Sequence, residues 1–464
     1  MSTKIQTLDL VHPLKKKIIL DESFKKAFLF LFIGNIFFLA ILFSKGHILA
    51  SKFLFLWLVG GCLLYALISF STSIYILSFT IPLEQAITNW GGGRFNSLSY
   101  LLMFLFVFFI LKAKNRNINI KFSKLEAVFL MWIVFCATTV FWSNDKFIGL
   151  GNTLYSIGGF LIIFIFKREL NCELKLLNSI MFYIAGVIVM TVAIFTTYRP
   201  GTAMIKKASG EWINNAFALG TGLDPNQYAR GAIVGLILSL FLIELLKKNI
   251  YKYILIGIVV LLGFSIPLTL NRSSVLMEAL ALLVWIFSSK RFSKKIKRIF
   301  IVFLMLIAIS YLVYKINYKA VEFRFKSTKI SYEEGNLRRL TAGRYYIWKV
   351  AFNLFLENPI GGIGLGSFPY RYSLRTGDYY QRAVHNAYLK YLVETGIFGF
   401  AMFFYIIFYI GLIALKNKNL RHISLSIWTA FSFIIATHEL LRAKDFWFGC
   451  AIILALYNLK GDYK

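Results

Sequence analysis

Acidic residues, proline and cysteine are the scarce components of this sequence. Its 464 residues include 21 Asp and Glu, 7 Pro and 4 Cys. Cys62, Cys136 and Cys450 lie inside apolar runs and Cys172 lies in a basic loop. That pattern provides neither a disulfide framework nor a metal-ligand spacing. Charged residues of both signs total only 16%, against about 25% in an ordinary soluble domain. No internal repeat is evident. No cleavable leader is expected, because about 26 mostly polar or basic residues precede the first apolar run and no small-residue cleavage site follows it.

Apolar residues, by contrast, are abundant. They make up 58% of the chain, the mean hydropathy is +0.68, and 47 residues are Phe. One soluble core cannot hide that much apolar surface, whereas a bilayer replaces the buried interior with lipid. The formal charge of +31 would suggest nucleic acid in a soluble protein. Here much of it falls in short loops between apolar runs, so topology and anionic headgroups explain it and no nucleic-acid partner is expected.

With roughly 20 apolar residues needed to cross the hydrocarbon, the spans fall near 27–44, 53–70, 71–84, 97–112, 125–142, 147–166, 176–198, 228–246, 253–270, 274–289, 299–316, 387–415, 423–440 and 446–459. Only Ser71, Thr72 and Ser73 separate the second from the third. The expectation is an all-α polytopic transmembrane helical bundle of 12–14 spans, one integral membrane domain over residues 1–464. With fourteen spans, basic loops such as Lys112–Lys124, Lys290–Arg298 and Lys416–Arg421 all fall on one side with both termini. The positive-inside rule makes that side the cytoplasm.

The opposite side then holds 199–226, Asn271–Ser274, the long stretch 317–386 and Arg442–Asp445. Residues 317–386 are too long and polar for a plain connection and are expected to form a helical exported subdomain. Within it, Ile347, Val350, Ala351, Leu354 and Phe355 recur at helical spacing up to Asn358-Pro359. The glycine cluster Gly361–Gly366 that follows suits either a close approach of backbone amides to an anion or a flexible turn.

Several outer residues carry chemistry. Arg272 lies in the tight turn Asn271–Ser274, where an arginine either snorkels to headgroups or meets a charged ligand. Asp224 and Pro225 suit a helix start. Arg230, about a turn and a half inside the apolar helix that follows, needs a polar cavity or an anionic partner. Segment 318–384 carries eleven basic and five acidic residues, among them Arg344. Guanidinium binds phosphate bidentately and stays charged; the alternative is a solvated loop exported regardless of charge. His385 stands where that segment re-enters the membrane. It is either a group that takes a proton near neutral pH or a capping or core histidine. On this side Glu333-Glu334 is the only adjacent acidic pair and no Asp-x-Asp occurs. Neutralisation by arginine is therefore expected, with no metal and no cofactor.

Four segments together resemble the O-antigen ligase and Wzy-polymerase superfamily. They are Asp224-Pro225-Asn226-x-x-Ala229; Asn271-Arg272-Ser273-Ser274, with Asn where Ser is commoner; Gly343-Arg344-x-x-x-Trp348, continuing to Asn358-Pro359-x-x-Gly362-x-Gly364-x-Gly366; and His385-Asn386-x-x-Leu389-x-x-Leu392-x-Glu394-x-Gly396-x-x-Gly399. They span 224–399 in the family's order; the first 200 residues carry only a generic polytopic pattern. The resemblance implies a GT-C-like bundle and an inverting, metal-independent glycosyl transfer at the periplasmic face of a bacterial inner membrane. The donor would be a glycan on undecaprenyl pyrophosphate and the acceptor a sugar hydroxyl, of lipid A-core for a ligase or of a second lipid-linked glycan for a polymerase. His385 would be the base. Arg272 and Arg344, with Arg230, would hold the pyrophosphate, and Asn386, Glu394, Asp224 and Asn226 would support them. A transporter of an anionic lipid or solute, or an assembly protein whose loop docks a partner, are the competing classes.

Overall fold

The computed structural model describes residues 21–45, 47–84, 97–115, 121–197, 204–206, 212–214, 225–246, 250–269, 271–288, 344–378, 382–417, 420–436 and 443–459, with isolated helical positions between 295 and 311. The described residues form an all-α bundle. In its first half run α1 (Glu22–Lys45), α2 (His47–Ile68), α3 (Phe70–Thr80), α4 (Ser97–Asn115), α5 (Lys124–Thr139), α6 (Lys146–Glu169) and α7 (Glu173–Thr197). Then come α8 (Pro225–Leu245), α9 (Ile250–Leu268), α10 (Arg272–Phe287), α11 (Arg344–Glu357), α12 (Phe368–Thr376), α13 (Ala387–Lys416), α14 (Arg421–Ile435) and α15 (Lys444–Asn458). Between α7 and α8 a small antiparallel ribbon pairs β1 (Met204–Lys206) with β2 (Trp212–Asn214), an addition to the helical expectation. The expected spans coincide with described helices, apart from 299–316, which falls largely outside the described residues.

Seven of these helices are long and apolar enough to cross a bilayer, and the protein is a multi-pass membrane protein. The outward flanks agree: Phe28 and Phe32 on α1, Met131 and Val134 on α5, and Phe404 and Phe408 on α13 are exposed, a surface that water alone would not tolerate.

Polar pairs fix helix register inside the apolar core. Ser78 and Ser179 Oγ atoms lie 2.7 Å apart between α3 and α7, and the Tyr228 hydroxyl donates to Ser265 Oγ at 2.6 Å while lying 3.0 Å from Thr191 Oγ1. Glu126 opens α5 in a capping box with Ser123 and also meets Arg168 at 2.5 Å and Lys167 at 3.4 Å. Glu244, near the end of α8, accepts from Arg298 (2.5 Å) and from the Trp285 indole of α10 (3.1 Å), and lies 2.7 Å from His422 of α14. The ends of α8 and α10 and the start of α14 therefore meet at one end of the bundle, the end rich in basic loops. By the antiparallel path of the chain, α8, α10, α13 and α15 all begin at the opposite end.

At that second end sits a smaller apolar core. Ile347, Ala351 and Leu354 of α11, Ile363, Phe368 and Tyr372 around α12, and Val384 and Val393 beside α13 are buried together, with Trp348 and Leu389 against them. Of the stretch expected as a subdomain, 317–343 lie outside the described residues.

Candidate active site

α13 is not one straight helix. Gly396 breaks it with φ 65° and ψ −169°, a conformation open essentially to glycine alone. The glycine cluster after α11 packs into this break. Gly362, Ile363 and Gly364 amides donate to the carbonyls of Asn358 (3.1 Å), Val393 (3.0 Å) and Glu394 (3.0 Å), and Ile397 donates to Pro359 (2.9 Å). The amides of Gly362, Ile363 and Gly364 are thus taken by carbonyls rather than left for an anion. A Cβ on Gly362 would lie 2.5 Å from the Glu394 carbonyl carbon, which explains glycine there.

Glu394, buried, accepts from the Phe368 amide at 3.1 Å, so its carboxylate anchors the first residue of α12. The loop is also fastened to the α5–α6 turn: Ser367 Oγ lies 3.0 Å from Ser143 Oγ, and Arg371 donates to Asn144 at 2.7 Å.

His385 comes immediately before α13 and is exposed, with φ 54°, the one non-glycine residue with positive φ among the described residues. Its neighbours hold it there. Val384 is buried in the small core and its carbonyl accepts the Trp348 indole N–H at 3.0 Å. Asn386 is the N-cap of α13 and accepts from the Leu389 amide at 3.1 Å. The capping role thus falls to Asn386, leaving the imidazole at the surface of the junction.

Arg344 begins α11, one turn before Trp348, so it lies in the same neighbourhood as His385. It is half-buried, and no carboxylate faces it among the described residues. Desolvation lowers its guanidinium from the ordinary value, which leaves it charged at any relevant pH. Arg382 differs: Asp378 accepts from it at 2.7 Å and raises its pKa.

Arg272 is the first residue of α10. Its N-cap, Asn271, accepts from the Ser273 amide at 3.1 Å and from its hydroxyl at 2.8 Å, and donates to Ser274 Oγ at 2.8 Å. The Asn271 side-chain amide thus both accepts and donates at the start of α10. Asn226 lies in the first turn of α8, and Asp224 lies outside the described residues.

Arg230 has a different setting. It is buried, and its charge acts on Glu84 and Asp445. Lys444, wholly buried, lies 3.5 Å from Glu84, and Tyr183 donates to Asp445 at 2.8 Å. The anionic partner that Arg230 needed is therefore supplied by the protein, in a quartet of two acids and two bases joining the turn after α3 to α8 and α15. The sequence showed Glu84 and Asp445 only as scattered acids, and nothing pointed to Tyr183 or Lys444. Among the described residues no three His, Cys, Asp or Glu side chains gather to hold a metal.

Residues 257–404 match the family model described as O-antigen ligase. This stretch is an O-antigen ligase domain. It contains Arg272, Arg344, His385, Asn386 and Glu394; Asp224, Asn226 and Arg230 precede it. The matched stretch takes in α10, the small core and α13 as far as residue 404, including its break, and is similar to the O-antigen ligase family. No curated protein gives a match to the chain.

Proposed function

We propose that the chain is a glycosyltransferase that moves a glycan from undecaprenyl pyrophosphate to a sugar hydroxyl at the periplasmic face of a bacterial inner membrane, with lipid A-core as acceptor. The acceptor oxygen bonds to the anomeric carbon from the side opposite the leaving group, inverting it. The carbon–oxygen bond to pyrophosphate breaks, the hydroxyl proton passes to His385, and lipid pyrophosphate departs. Near-neutral imidazole suits that proton. Negative charge grows on the leaving diphosphate, which fixed guanidinium groups stabilise. Arg344 and Arg272 take that task, Arg272 from the positive end of α10. Arg230, already facing Glu84 and Asp445, is assigned to positioning beneath the site. The basic loops put both termini in the cytoplasm, and residues 317–386 form the periplasmic subdomain.

One observation carries this reading. His385 is kept exposed in a costly backbone conformation by two neighbours, inside the O-antigen ligase domain. Strain of that kind persists where the surrounding structure holds it and clusters at working sites.

Purified protein in vesicles, given lipid-linked glycan and either lipid A-core or a second lipid-linked repeat, tests it. Glycosylated lipid A-core is expected, and its loss in His385→Ala with normal insertion. Lengthened lipid-linked glycan instead makes the chain a polymerase. Full activity of His385→Ala removes the base role, and glycan crossing the bilayer with no new bond would make the protein a transporter.

A further inference from the structure

α11 buries one apolar stripe and leaves another bare. Ile347, Ala351 and Leu354 face the small core. Tyr345, Phe352 and Leu356 return at helical spacing on the opposite side with Lys349, all exposed, and Ile360 extends their line at 67% exposure. Between the two stripes runs a polar flank with Asn353 and Glu357, where Glu357 pairs with Arg375 of α12. A helix lying on a soluble surface turns one apolar face inward and polar residues outward. This helix has a second apolar face that is exposed.

The break in α13 fixes the height of that face. Ile360 sits against Gly396, and the preceding Pro359 accepts from Ile397. From there residues 397–416 run for about 30 Å at 1.5 Å per residue, the thickness of the hydrocarbon. Ile397, Phe398, Phe404 and Phe408 on that run are exposed, the lipid-facing flank of the helix. The bare stripe of α11 therefore continues the lipid-facing surface upward from the break. Trp142 reaches the same level from the turn after α5: its indole donates to the Gly362 carbonyl at 3.3 Å while the ring stays about half exposed, and Phe141 beside it is 80% exposed. Tryptophan and tyrosine gather where acyl chains meet headgroups, and lysine reaches from there to anionic headgroups.

We propose that α11 is an interfacial helix. Its stripe of Tyr345, Phe352, Leu356 and Ile360 is seated, with Trp142, in the bilayer leaflet at the His385 end, with Lys349 at the headgroups. The lipid surface sets the height of the first two turns of α11, which carry Arg344 and Trp348. This docking is independent of which reaction the site performs.

Site-directed spin labelling tests it. Cys62, Cys136 and Cys450 are buried and Cys172 is exposed, so a Cys172→Ser background admits labels only at introduced thiols. Nitroxides at Leu356→Cys, Ile360→Cys, Phe398→Cys and Asn353→Cys are compared in nanodiscs of phosphatidylethanolamine and phosphatidylglycerol. At 356 and 360, relaxation by oxygen is expected to exceed relaxation by a water-soluble nickel complex several-fold, as at 398, with the order reversed at 353. Preference for nickel at both 356 and 360 places the stripe in water and overturns the proposal. Protection from both agents also overturns it, because protein, from residues 312–343 or a second copy, then covers the face.

Discussion

His385 shows how a single residue's position is held against its own preference. A non-glycine residue at φ 54° lies in sparsely populated backbone space and costs on the order of 1–3 kcal/mol. Two contacts hold it there: the Trp348 indole on the Val384 carbonyl and the Asn386 cap. Trp348→Phe keeps an aromatic ring against the small core but removes the donated hydrogen together with part of the indole's volume. Its effect on stability should be about 0.5–3 kcal/mol, the lost hydrogen bond plus lost packing, read as a modest shift of the melting temperature in detergent. Its effect on glycan transfer should be much larger and fall on kcat rather than KM, because His385 loses its aim while substrate binding is untouched. An equal, small drop in both would leave Trp348 a packing residue. Arg344 is probed by charge-conserving exchange. Lysine retains the charge but not the planar fork that grips a diphosphate bidentately. Arg344→Lys is therefore expected to weaken donor binding, seen as a raised KM for the lipid-linked glycan, with insertion unchanged.

At the scale of elements, the junction of the glycine cluster with broken α13 decides where these side chains stand. Gly396→Ala places a Cβ against the Ile360 carbonyl oxygen and forces a glycine-only conformation on alanine. The expected loss is on the order of 1–3 kcal/mol or more, measured by thermal unfolding in micelles. Gly257 gives the internal contrast, since nothing lies within 4 Å of a Cβ there. In the helix α9, Gly257→Ala should be neutral or stabilise by about 0.5–1 kcal/mol. If both variants melt alike, the break is not a strained joint. This element was only half legible in sequence. The stripe of Ile347, Ala351 and Leu354 announced α11 by its period, because burial of one helical face is written locally. The break was hidden, because 387–415 reads as one apolar run and Gly396 looks like any glycine in a membrane helix. The purpose of Gly361–Gly366 was hidden too: the Ile363 and Gly364 amides are satisfied by carbonyls thirty residues away, and only the fold brings those carbonyls near.

Across the whole molecule, charge was legible where it labels a side and illegible where it pairs through the interior. The basic loops mark one end of the bundle at a glance, but no local pattern couples Glu244 to Arg298 and His422, or Glu84 to Lys444. The latter pair lies within the quartet closed by Arg230 and Asp445, and its balance can be tested by changing the count of charges. Lys444→Met leaves two carboxylates facing one guanidinium, and Glu84→Gln leaves two cations facing one carboxylate. Either change strands a charge in a buried setting, for which about 3–5 kcal/mol of destabilisation is expected. Lys444→Met with Glu84→Gln restores neutrality, so the double variant should be more stable than either single one, read as melting temperature in the same detergent. Because Arg230 and Asp445 remain paired in it, glycan transfer should return with the stability. Additive losses in the double variant would mean that Glu84 and Lys444 act separately and that the quartet is no unit. Recovered stability without recovered transfer would instead mean that Lys444 or Glu84 works in the reaction itself.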